Sequence, residues 1–192
     1  MKTLPVPLNV EMQAMANEHQ LWLESYDVRY LKKWKDLFQA DIEAAMGEAE
    51  IRRRLQNLGS TVEPNEDLNT GKAAPDFRCS CSGYEFFVEV ACITIAAAED
   101  KTGISDVTPH QGAVCMLNHA IFQKCVKKAR QAGFVNAPVL VAVGTWHNQA
   151  AMEFSDMAML NTLLTGDQLH TWGFNAQTGE EISPHQSTNL YP

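Results

Sequence analysis

Ser82-Gly83, set between the runs Pro75 to Cys81 and Tyr84 to Ile93, restricts the fold of this chain more than any other feature. The second run is rich in aromatic and β-branched residues, and a two-residue Ser-Gly connection between strand-like runs predicts a tight β-hairpin. With Ser82 and Gly83 as the loop, Cys81 faces Tyr84, and counting outward sets Asp76 directly across from Glu89. Opposed Cβ atoms on neighbouring strands lie ~5 Å apart, where two like charges destabilise a sheet unless something neutralises them. A divalent cation held by both carboxylates meets that need, and oxygen ligands suit Mg²⁺. The alternative is an edge hairpin with both carboxylates in water. Phe86 to Ile93 is too apolar on both faces for an exposed edge, which favours the metal.

The rest of the chain alternates around this hairpin. Residues 11 to 38 have Leu31, Trp34, Leu37 and Phe38 at helical spacing, and Asp41 to Leu58 continues as helix, with Gly47 a point of interruption and Gly59 a stop. Ser60 to Ala74 holds Pro64, Asn65, Asn69 and Gly71 and predicts a loop with a short strand near Thr61 to Glu63. Thr94 to Gln111 is a polar and small-residue connection, long enough to be a functional loop. Ala113 to Ala132 predicts a helix closed by Gly133. Pro138 to Val143 predicts a strand buried on both faces, parallel to a strand of the hairpin sheet after a crossover helix. A further helix is expected from Ser155 to Leu164, and a tail hairpin around Gln177 to Glu180, with Ser187 to Pro192 fraying.

Length and composition narrow the class. The 192 residues suffice for one domain with a real core and a modest extension. Pro5 and Pro7 break the first ten residues, so they lack the apolar run of a signal peptide, and no segment approaches the ~20 apolar residues of a membrane span. Five cysteines, without an export signal, point to reduced thiols and a cytoplasmic location. Cys79 and Cys81 share a strand face but lack a second ligand pair for zinc, so they read as core residues. A formal net charge of −8 argues against a general polyanion binder. Locally the sign reverses. From Val107 to Met152 there is no Asp or Glu, while Lys124, Lys127, Lys128 and Arg130 fall there, and Arg52-Arg53-Arg54 is a second basic knot. Each is either a solvated helix face or a surface for a phosphate backbone.

Pro75-Asp76, with Glu89 on the next strand, a helix before and a helix after, resembles the PD-(D/E)-x-K nuclease superfamily over roughly Glu48 to Trp146. The resemblance implies an α/β, restriction-endonuclease-like mixed sheet flanked by helices. An N-terminal helical extension (1–40) would precede a core of 41–175 and a tail of 176–192. It implies Asp76 and Glu89 as Mg²⁺ ligands, with Mn²⁺ able to substitute, and hydrolysis of nucleic-acid phosphodiesters, DNA favoured over RNA. The family lysine belongs two residues after the Glu, where this chain has Ala91.

A displaced lysine is therefore expected on the following helix. At about 100° per residue, Lys128 projects within the apolar arc between Leu117 and Ile121, with Lys124 and Gln131 at its border and Lys127 and Arg130 opposite. Lys128-Ala129-Arg130-Gln131 resembles the Lys/Gln helix signature of the family, which implies catalytic roles for Lys128 and Gln131. Glu48, on one face with Ile51, Leu55 and Leu58, resembles the first-helix Glu that assists the metal. Trp146 and His147 follow the buried strand, as an aromatic plug or a substrate contact, and His110 lies in the long loop. No Gly-x-Ser-x-Gly elbow or phosphate-binding Gly loop is present. The competing reading is a catalytically silent member of the same fold that binds protein or nucleic acid.

Overall fold

Capping residues set the N-terminal helices. In the computed structural model, which describes residues 8–65, 74–107, 114–132, 136–155, 168–174 and 181–189, α1 (Val10–Glu24) starts at Asn9, whose side chain accepts the Met12 N–H. The predicted helix 11–38 is two helices. Asp27 accepts the Arg29 N–H and opens α2 (Val28–Ala40), so the chain turns at Ser25 to Asp27. Asp41 caps α3 (Ile42–Asn57), which passes through Gly47 without a break. The three helices pack through Met15, Ala16, Leu23, Leu31, Trp34 and Met46.

The sheet follows. β1 (Thr61–Pro64), β2 (Phe77–Cys81) and β3 (Tyr84–Ile93) form an antiparallel meander, and β4 (Val139–Thr145) adds parallel to β3, in the order β1-β2-β3-β4. The hairpin register matches the one expected: Cys81 pairs with Tyr84 and Phe77 with Val88. Ser82 and Gly83 both have positive φ (51° and 83°), which gives the primed two-residue turn that fits strand twist. The long connection after β3 is not all loop. Thr94 accepts the Ala97 N–H, α4 (Ile95–Thr102) follows, and Gly103 ends it in the left-handed region. α5 (Val114–Ala132) is the crossover helix to β4. α6 (Asn148–Ser155) is a helix that the sequence reading did not expect, and the predicted 155–164 helix lies, Ser155 apart, outside the described residues. β5 (Gln168–Phe174) and β6 (Glu181–Asn189) form a separate antiparallel pair, and β6 runs on to Asn189 where fraying was expected.

Alternation along β3 sorts its two faces. Val88 and Val90 pack with Val62, Phe77, Cys79, Ile51 and Leu55 on the α3 side. Ile93 packs with Ile121, Ala98 and Ile104 on the α5 side. Glu89 and Ala91, at odd positions like Ile93, therefore belong to the α5 face. The fold is α/β, a four-stranded mixed sheet with helices on both faces. No helix among the described residues is long and apolar enough to cross a membrane.

Candidate functional site

Pro75-Asp76 is fastened in place before it joins the hairpin. Asn65 donates its backbone N–H to the Asp76 carbonyl at 2.9 Å and its side-chain amide to the Pro75 carbonyl at 3.0 Å. β2 starts one residue later, and Asp76 Oδ2 accepts the Val90 N–H at 2.6 Å. The Pro75 and Asp76 carbonyls are taken up by Asn65, and the Asp76 carboxylate serves as the acceptor for the Val90 N–H. The ladder ends at the pairing of Phe77 with Val88, and Asp76, one residue before β2, is tied to β3 through Val90.

Glu89 is only 6% exposed. A carboxylate so buried needs a partner, and Lys128 of α5 supplies it, with Nζ 2.6 Å from Oε1. Ile121, one face with Lys128 on α5, is buried against the same side of the sheet, which confirms the helix orientation read from the wheel. The like-charge cost that the sequence assigned to a cation is thus met within the protein by an ammonium on Glu89 and an amide on Asp76.

Glu48 and Asp76 line one cavity of about 210 Å³, together with His19, Tyr30, Lys33 and Trp34. Glu89 and Lys128 are not among its lining residues. The site is therefore in two parts, an α5 part holding Glu89 and Lys128, and an α1–α3 part holding Glu48 and Asp76. Sequence reading missed His19, Tyr30 and Lys33. They are scattered over two helices and no spacing links them to Asp76. His19 is buried, and Arg52 Nε donates to its Nδ1 at 3.2 Å. Burial, then the Arg52 charge, hold the imidazole down to about 3, so it is a neutral ring with its proton on Nε2.

Other candidates have structural work. Trp146 donates Nε1–H to the Glu43 carbonyl at 3.0 Å and packs on the α1–α3 core. His147 is fully buried. Its Nδ1 accepts the Ala150 N–H at the start of α6, so Nε2 donates to the Ile104 carbonyl at 3.1 Å. Arg52 is inside the helical layer, whereas Arg53 and Arg54 pair with Glu50 along a groove of about 810 Å³ that Ala91 also lines. Cys79 and Cys92 are free and buried, with burial pushing the thiols up to about 11 and about 12. His110 and the Gln131 side chain lie outside the described residues.

The described donors form no cluster of three or more His, Cys, Asp or Glu suited to a metal. Glu48 and Asp76, which line one cavity, are oxygen donors suited to a hard cation such as Mg²⁺ that keeps several waters and needs only one or two carboxylates. Glu89, held by Lys128, does not line that cavity, so the expected convergence of Asp76 and Glu89 on one face is not what the structure places there. No protein-family model, curated protein or solved structure matches this chain.

Proposed function

We propose that this chain is a divalent-metal-dependent phosphodiesterase of the PD-(D/E)-x-K kind, acting on nucleic acid, with its lysine on α5. The observation that supports the reading is the ion pair of Lys128 with Glu89, on the strand next to the one that Asp76 leads into. The order α3, three-stranded meander, α5, parallel β4 supports it as well. Asp76 and Glu89 would hold Mg²⁺ or Mn²⁺, with Glu48 assisting from the cavity it shares with Asp76. The metal supplies polarisation of the phosphoryl oxygen and a water of lowered pKa. Lys128 gives the buried Glu89 carboxylate a cationic partner and would present a positive charge where negative charge develops on the phosphoryl group. The Val90 N–H orients the Asp76 carboxylate. A cytoplasmic location and a DNA substrate belong to this reading.

One observation favours the second reading, a silent binding module of the same fold. Ala91 stands at the family lysine position, and Lys128 already satisfies Glu89. Calorimetric titration with Mg²⁺ and Mn²⁺, paired with cleavage assays on labelled single- and double-stranded DNA and RNA, separates the two. The nuclease reading expects metal binding and cleavage that stop in EDTA and in Asp76→Ala and Glu89→Ala. Absence of both metal binding and cleavage on every substrate leaves the binding module.

A further inference from the structure

Lys124 lies near Lys128, Lys127 and Lys101, and none of Lys101, Lys124 and Lys127 has a carboxylate within 4 Å among the described residues. Lys124 and Lys127 are on α5 at i−4 and i−1 from Lys128, and Lys101 is in the last turn of α4, which packs on α5. Their heights along the sheet follow from two anchors. Ile121 shares a core cluster with Ile93, and Lys128 reaches Glu89, so α5 descends β3 against its direction. Lys124, about midway between Ile121 and Lys128 on α5, falls near the level of Ala91 on β3.

A half-buried ammonium without an acceptor is a costly arrangement, because burial favours the neutral amine and like charges do the same. Lys124 shows both effects: burial first, then the charges of Lys128, Lys127 and Lys101, hold it below the ordinary lysine value. The other basic cluster of the chain is built differently, each arginine of Arg52 to Arg54 meeting a glutamate. The stretch that carries Lys124, Lys127 and Lys128 has no acidic residue from Val107 to Met152, in a chain of net charge −8. On α5 the described charged side chains are all basic, while α4 adds Lys101 beside Glu99 and Asp100. A row of lysines on α5 without carboxylate partners suits a polyanion with charges at regular spacing.

We propose that Lys101, Lys124 and Lys127 form a track for the phosphate backbone of a nucleic-acid strand, leading to the Glu89–Lys128 pair. The identity of the polyanion rests on the nuclease reading; the track itself is metal-independent. The test is fluorescence anisotropy of the full chain with labelled single-stranded and duplex oligonucleotides, in EDTA, over a series of salt concentrations. Replacing all three lysines by alanine should weaken binding at least tenfold at low salt and make the plot of log affinity against log salt shallower by about 3, since each lost phosphate contact removes ~0.9 from the slope. Arg53→Ala/Arg54→Ala should leave both within about twofold, because those charges are already paired. Lys127→Glu, at an exposed position, gives the same direction of change where the triple variant is poorly folded by circular dichroism. Unchanged affinity and slope in the lysine variants overturn the track while leaving metal-dependent cleavage standing. Loss of binding in those variants, with no cleavage under any metal, keeps the track and ends the nuclease reading. Binding to phosphatidylserine vesicles but to no oligonucleotide overturns the proposal in favour of a membrane surface.

Discussion

Two basic clusters of similar sequence character have opposite physical settings in this molecule. Arg52, on α3, is 2% exposed and has an acceptor for each face of its guanidinium: Glu18 at 2.7 Å, Gln56 at 2.5 Å and His19 at 3.2 Å. Its carbon lies 5.4 Å from the Trp22 ring centroid, a cation–π distance. Lys124, on α5, is half-buried with three lysines around it. Arginine's planar fork can satisfy several acceptors at once, which is why it can be enclosed, while an ammonium without one stays poised for an anion from outside. A run of positive charge in sequence therefore says nothing of purpose until the acceptors are counted.

The largest expected effect tests the enclosed side. Arg52→Ala leaves the buried His19 without its donor and removes a fully enclosed guanidinium packed on Trp22, while Glu18, 55% exposed, and Gln56 can turn to water, a loss of about 2–4 kcal/mol. For a chain of this size that is a fall of roughly 10 °C in Tm by calorimetry. Arg53→Ala and Arg54→Ala, whose pairs with Glu50 are partly solvated, should each stay within about 0.5 kcal/mol. A loss at Arg53 equal to that at Arg52 would erase the contrast between enclosed and surface cations.

The second effect uses pH. His19 is neutral in the folded chain because burial and Arg52 hold it at about 3, against an ordinary value of 6.5. Below 6.5 the unfolded chain takes up a proton that the folded chain refuses. Its contribution is therefore fully present above pH 6.5 and lost as pH falls from 6.5 toward 3, at up to about 1.4 kcal/mol per pH unit. Urea unfolding at pH 7, 6, 5 and 4.5 should show the loss, and His19→Gln, which keeps an acceptor for Arg52, should flatten it. An equal slope in His19→Gln would assign the acid sensitivity to the carboxylates instead.

How much of this was legible follows from where the information sits. The hairpin register was readable because Ser82-Gly83 fixes it locally and side chains alternate with period two. The inward aim of Lys128 was readable because helical period relates it to Ile121 on the same element. The break between α1 and α2 had a signal, the Asp27 cap, that a continuous apolar pattern obscured, and α4 had Thr94 and Gly103 as start and stop. The burial of Arg52 and the gathering of His19, Tyr30 and Lys33 beside Asp76 had none. They depend on how three helices pack, through Met15, Trp34 and Met46, and no one-dimensional spacing encodes that.

The smallest of the stability effects is also the one closest to function. Glu89 and Lys128 join the two settings, a buried carboxylate held by a partly buried ammonium at 2.6 Å. Lys128→Ala leaves the carboxylate at 6% exposure without a cation and should cost about 2 kcal/mol. Glu89→Gln keeps the shape and leaves an ammonium that can still turn to solvent, so it should cost less, about 1 kcal/mol. A double-mutant cycle by urea unfolding should then give a coupling of about 1–2 kcal/mol. Repeating the cycle with 10 mM Mg²⁺ sharpens the comparison. In Lys128→Ala the buried Glu89 has lost its cation, the condition under which a divalent cation stabilises most, so added metal should restore part of the loss in that variant. It should do nothing for Glu89→Gln, which lacks the ligand. Equal responses to Mg²⁺ in the two variants would mean that Glu89 pairs with Lys128 for stability alone, and that the ion pair, like Arg52 on the other face of the sheet, is part of the scaffold.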